Sequence, residues 1–120
     1  MKQKVKINNL QNLFNLIEIN RQCSVTENEK DFFYIAAPFN SDVFVNIGKN
    51  EGICDIILRT IERLEEFDAD ERFTEWWSTD FAKHNGFSPS QFIGMLKEDE
   101  KTFRNLADKL RKLQYYDKII

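Results

Sequence analysis

The chain has 120 residues, 42% of them hydrophobic and 31% charged, with 11 phenylalanines and a formal net charge of −3. That length suits a single domain over residues 1–120 with one core, and so many aromatic residues exclude a disordered or low-complexity tract. No apolar run approaches the ~20 residues that span a bilayer, so no membrane partner is expected.

The start, "MKQKVKINNLQNLF", is basic but lacks an apolar h-region and a small-residue cleavage site, so a cytoplasmic protein is expected. A first amphipathic helix follows from Ile7, Leu10, Leu13, Phe14 and Ile17, with Asn8 or Asn9 as its cap. Beyond a polar stretch, "FFYIAA" and "DVFVNI" read as two strands of a hairpin around "PFNS". The apolar run from Phe32 to Ala37 predicts a strand covered on both faces, and a short third strand is expected around Cys23 to Val25. After "GKNEG", Ile53, Ile57, Ile61 and Leu64 align on one helical face as far as about Glu66, flanked by Cys54 and Leu58.

Residues 67–87, "FDADERFTEWWSTDFAKHNGF", read as one or two short helices. Asp68 with Glu71 three residues on makes an acidic variant of the capping box. Ser78 or Thr79 caps a second turn through Phe81, and Gly86 suits a left-handed helix end. Phe73, Trp77 and Phe81 share one face, which predicts Trp77 in the core and Trp76, about 100° away, at most half covered. In "FSPSQF" Ser88 is the N-cap, Pro89 takes the first helical position, Gln91 closes the capping box and Phe87 staples against Phe92. The seam Phe92, Leu96, Phe103, Leu106, Leu110, Leu113 then carries a helix to about Gln114, with Asp99 its only polar interruption. The class expected is α+β: an N-terminal helix, a hairpin or small antiparallel sheet, and a mostly helical C-terminal half packed on it.

No pattern for chemistry stands out. Two cysteines without C-x-x-C spacing and a single histidine are too few for a zinc site, and the four glycines form no phosphate-cradling loop. Cys23 and Cys54 read as reduced thiols, with Cys54 buried. His84 in "AKHNG" reads as a helix C-terminal cap. A Cys–His nucleophile would need a third, orienting residue that the sequence does not suggest. The expectation is a protein that is not an enzyme, with no catalytic residues, no cofactor and no metal.

Charge is divided along the chain. Residues 1–50 hold 6 basic and 5 acidic groups, residues 51–100 hold 5 and 13, and residues 101–120 hold 6 and 2. Between 62 and 80 stand eight carboxylates against Arg63 and Arg72. Glu65, Glu66, Asp68, Asp70, Glu71, Glu75 and Asp80 around Trp76 form a candidate surface for a basic protein partner. The alternative is nucleic acid on the last helix, where Lys97, Lys101, Arg104, Arg111 and Lys112 fall within about 120° with Tyr115 among them. Asp108 interrupts that face, and a pI near 5.2 makes nucleic acid the weaker candidate. A third arrangement sets the acidic segment against the basic helix, either within one chain or between the copies of a homodimer.

"FDADERFTEWW", "DFAKHNGFSPSQF" and "MLKEDEKTFRNLADKL" together resemble small uncharacterised proteins carried by bacteriophages and integrative elements of Gram-positive bacteria. The resemblance spans Phe67 to about Leu110 and includes no catalytic motif. It implies a bacterial host cytosol and an inhibitor directed at a host nucleic-acid-binding or defence protein, of the anti-CRISPR or anti-restriction type.

Overall fold

The structure is a computed structural model that describes residues 10–19, 23–29, 31–39, 41–77 and 86–119, with side chains described for all of these but 28, 29 and 113–119. In chain order the elements are α1 (Leu10–Glu18), β1 (Ser24–Glu29), β2 (Phe32–Ala36), β3 (Asp42–Asn46), α2 (Ile53–Glu66), α3 (Ala69–Trp77) and α4 (Pro89–Ile119). The three strands form one antiparallel sheet in the order β1-β2-β3. The expected α+β class is observed, and the third strand forms from Ser24.

Alternation along the strands decides which side chains reach the core. Phe33 and Ile35 of β2 and Val43 and Val45 of β3 point to one face, where they join Leu13, Phe14 and Ile17 of α1, Ile57, Ile61 and Leu64 of α2, and Phe92, Leu96, Phe103 and Leu110 of α4. Phe14 meets Phe33 edge-on at 4.9 Å. The other face of β2 is only half-buried, so the expected covering of both faces holds for one alone. Its apolar character has a local reason: the rings of Phe32, Tyr34 and Phe44 lean on one another at 5.0–5.7 Å.

α2 closes the β3 edge. Ala37 donates to Ser41 O and Ile47 to Asp31 O, so the alternation of an antiparallel pair turns the backbone groups of Phe44 and Asn46 away from β2. Arg63 Nε donates to Phe44 O at 2.8 Å and Arg59 Nη1 to Asn46 O at 3.0 Å. Four helical residues (~6 Å) and two strand residues (~6.8 Å) span nearly the same distance, so residues four apart on α2 reach carbonyls two apart on β3. An edge so capped is protected from pairing with another strand. Glu51 holds Arg59 in place at 2.7 Å, and that hydrogen bond raises the Arg59 pKa.

The sequence signals at helix ends are realised where they are local. Ser88 Oγ accepts from Gln91 N and Gln91 Oε1 from Ser88 N, a complete capping box, and the Phe87 and Phe92 rings meet at 6.3 Å. Gly86 adopts φ +75°, the left-handed conformation expected of it. α4 runs on to Ile119, beyond the expected end near Gln114.

The expected burial of Cys54 is reversed: Cys54 is exposed and Cys23 is buried. The buried stripe of α2 runs through Ile56, Ile57, Thr60, Ile61 and Leu64, so its centre lies toward Thr60. That rotation leaves Cys54 and Leu58 on the solvent side.

Candidate functional site

The acidic segment forms a corner between two helices. Phe67 takes an extended conformation (ψ 124°) that ends α2, and Asp68 Oδ1 then accepts from the backbone N–H of Asp70 and of Glu71 to cap α3. α4 grips this corner with opposite charges. Arg104 donates to Leu64 O (2.6 Å) and Phe67 O (2.7 Å), the carbonyls left open at the C-terminal end of α2. Glu100 Oε2 accepts from Ala69 N at 2.8 Å, the first N–H of α3. Each charge sits at the helix pole that favours it.

Two ion pairs frame the same junction. Lys97 Nζ lies 3.3 Å from Asp70 Oδ2, and Arg111 Nη2 lies 2.7 Å from Glu65 Oε1. The Glu65 hydrogen bond raises the already high pKa of Arg111. Three of the six residues of the candidate nucleic-acid face, Lys97, Arg104 and Arg111, therefore engage α2 and α3. Lys101 and Lys112 are exposed, and the side chain of Tyr115 lies outside the described residues. The arrangement of acidic segment against basic helix within one chain is thus present in part.

The carboxylates on the outside of the corner stay in water. Glu62, Glu65, Glu66, Asp68, Asp70, Glu71 and Glu75 are all exposed, whereas Asp80 lies outside the described residues, as do Asn8, Asn9, Ser78, Thr79, Phe81 and His84. Arg63 reaches Glu66 at 3.0 Å, an exposed contact worth little in stability.

Both indoles of the Trp pair lie against one ring. Trp76 and Trp77 meet Phe92 at 6.0 and 6.3 Å, and each is half-buried. Trp77 stacks on Phe73 at 5.6 Å with 12° between the planes, so it packs against the core without being enclosed in it, contrary to the expectation of a core residue. The 100° between neighbouring side chains is bridged because Phe92 rises between them. Trp76 also lies 5.1 Å from the Arg72 guanidinium, which stands at the same distance from the Phe67 ring.

One polar group that the sequence marks only as an interruption has a defined role. Asp99 is fully buried, and its two carboxylate oxygens accept from Phe39 N and Ser41 N, each at 3.1 Å, fixing the turn between β2 and β3. Close by, burial first and the Asp99 charge second push the Cys23 thiol up to about 11.

Among the described residues no group of three His, Cys, Asp or Glu side chains is placed to hold a metal ion, and no helix is long and apolar enough to cross a membrane. Comparison with protein-family models, curated proteins and solved structures finds no match to this chain.

Proposed function

We propose that the protein is a non-enzymatic binding module whose α2–α3 corner covers a basic site on a protein partner. The observation that carries this reading is the exposure of seven carboxylates, Glu62 to Glu75, on a corner that α4 clamps from behind. A rigid acidic surface steers a basic partner and loses little conformational freedom when it binds. Trp76, half-buried beside these carboxylates, supplies aromatic area at the centre of the contact. The nucleic-acid alternative is less well supported, since Lys97, Arg104 and Arg111 are engaged with the corner. The narrower form of the proposal, a mobile-element inhibitor of a host nucleic-acid-binding or defence protein, draws on the resemblance of residues 67–110 to phage proteins.

Quantitative capture from extracts of a Gram-positive host tests the reading, with wild type compared against Glu66→Gln/Glu71→Gln. Selective loss of one basic protein is expected. Recovery of the same proteins in equal amounts would overturn it. A labelled DNA or RNA that shifts with wild type but not with Lys101→Ala/Lys112→Ala would favour the alternative. Light scattering at two ionic strengths identifies self-association through the same charges.

A further inference from the structure

Behind the acidic corner lies an open cleft of about 270 Å³ between β3 and the α2–α3 junction, lined mainly by the polar side chains of Asp42, Arg63, Glu66 and Arg72, with the half-buried Phe44 ring as its apolar side. Two guanidiniums line it, and they differ in what they hold. Arg63 is engaged by Phe44 O and Glu66. The Arg72 side chain is three-quarters buried, and among the described residues no acceptor lies within hydrogen-bonding distance of it: the nearest carboxylate oxygens are Asp42 Oδ1 at 3.9 Å and Glu75 Oε2 at 4.0 Å. Its guanidinium carbon lies 5.1 Å from the centroids of both the Phe67 and Trp76 rings. The result is a preoriented fork of N–H donors facing a cleft.

The neighbours of Arg72 restrict what can bind. Arg59 and Arg63 already occupy the outward carbonyls of β3, so an added strand is blocked and a single group must fill the space. Only one fork is open, and Asp42 and Glu66 share the rim, so a dianionic phosphate would be repelled while a planar monoanion matches the fork. The half-buried Phe44 ring gives an apolar body a surface to rest on beside that charge. Asp42 and Glu75 are more than half exposed, so a ligand displaces water and loose ion pairs rather than formed hydrogen bonds.

We propose that this cleft binds a carboxylate carried on an apolar group, as at the C-terminus of a peptide ending in a large hydrophobic residue, with Arg72 as its bidentate donor. The ligand is opposite in sign to the partner of the acidic surface, with which the cleft shares Glu66 at its rim and Trp76 beside Arg72.

Amide-resolved NMR titration of the whole chain with N-acetyl-phenylalanine tests it. Saturable shifts are expected at Val43, Phe44, Arg72 and the Trp76 indole, with at least about tenfold weaker binding of N-acetyl-phenylalaninamide, which lacks the charge. Arg72→Lys keeps the charge and the aromatic contact but removes the fork, and should weaken binding at least about fivefold with the remaining spectrum unchanged. Absence of saturable shifts, equal binding of the amide, or undiminished binding by Arg72→Lys would overturn the proposal. N-acetyl-aspartic acid α-amide, a side-chain carboxylate on a smaller body, should bind more weakly; equal or tighter binding would overturn the assignment to a hydrophobic C-terminus.

Discussion

Glu100 and Arg104, one turn apart on α4, hold opposite helix poles at a single corner: Glu100 accepts the first N–H of α3, and Arg104 donates to the last carbonyls of α2. This pair sets the angle between the two helices that carry the acidic surface. Arg104→Met should cost about 1.5–3 kcal/mol, the usual loss for hydrogen bonds from a charged group, read as a lower urea midpoint. Arg104→Lys restores charge without the two-pronged geometry and should recover less than half of that. Full recovery by lysine would mean that charge alone holds the corner.

Asp99 anchors the turn between β2 and β3 from the middle of α4. Removing its carboxylate in Asp99→Ala leaves the buried N–H of Ser41 and the partly buried N–H of Phe39 without acceptors, at about 1–3 kcal/mol for each such group. Asp99→Asn keeps one acceptor oxygen and should fall between wild type and alanine. Hydrogen exchange at Ser41 and Phe39 reports the loss directly and should accelerate far more than exchange at Val45.

Phe92 carries the contact between α3 and α4, with Phe73, Trp76, Trp77 and Phe87 all within 6.3 Å of its ring. Phe92→Ala should destabilise the protein by about 3–5 kcal/mol, as for other buried rings. Both indoles lose a wall in that variant, so tryptophan emission should shift to longer wavelength even where the chain remains folded. An unchanged emission maximum would contradict the packing of both indoles on this ring.

The two cysteines should separate cleanly in a thiol assay. Cys54 is exposed and reacts in the native protein, whereas Cys23, buried and held protonated up to about pH 11, reacts only on unfolding. The raised thiol pKa also links stability to pH. Below about 9, the ordinary thiol value, Cys23 is neutral in both states and the linkage is flat; from there to about 11 the unfolded chain ionises first, so stability falls as pH rises. Cys23→Ala should remove that part of the alkaline loss.

What could be read in advance was local. The capping box of Ser88 and Gln91, the Phe87–Phe92 staple and the left-handed Gly86 each depend on residues within five positions and all form, while of the box expected at Asp68 the Asp68 cap forms, with no return bond from Glu71 to Asp68 N among the described residues. The partners of Asp99 and Arg104 lie 37 to 60 residues away, so no spacing rule exposes them. Arg104 looked like one more cation on a basic stripe because the wheel of α4 carries no information about which face meets α2. Trp76 is half-covered as expected, but Trp77 is not the core residue its face predicts, for a related reason: 100° separates two neighbours on α3, yet a ring from another helix can touch both. The exposure of Cys54 turns on a rotation of α2 that Leu58, apolar yet solvent-facing, disguises. The Arg72 cleft had no signal in the chain order, since β3 and α3 meet only in the folded protein.

The central claim is that the exposed carboxylates of α2 and α3 bind a basic protein surface, and the most direct measurement is the affinity of wild type and of Glu66→Gln/Glu71→Gln for the captured partner at low and high ionic strength. Wild-type binding should weaken steeply as salt rises, and the double variant should bind less tightly and show a shallower salt dependence. Equal affinities and equal salt slopes for the two proteins would contradict the claim and place the contact elsewhere on the molecule.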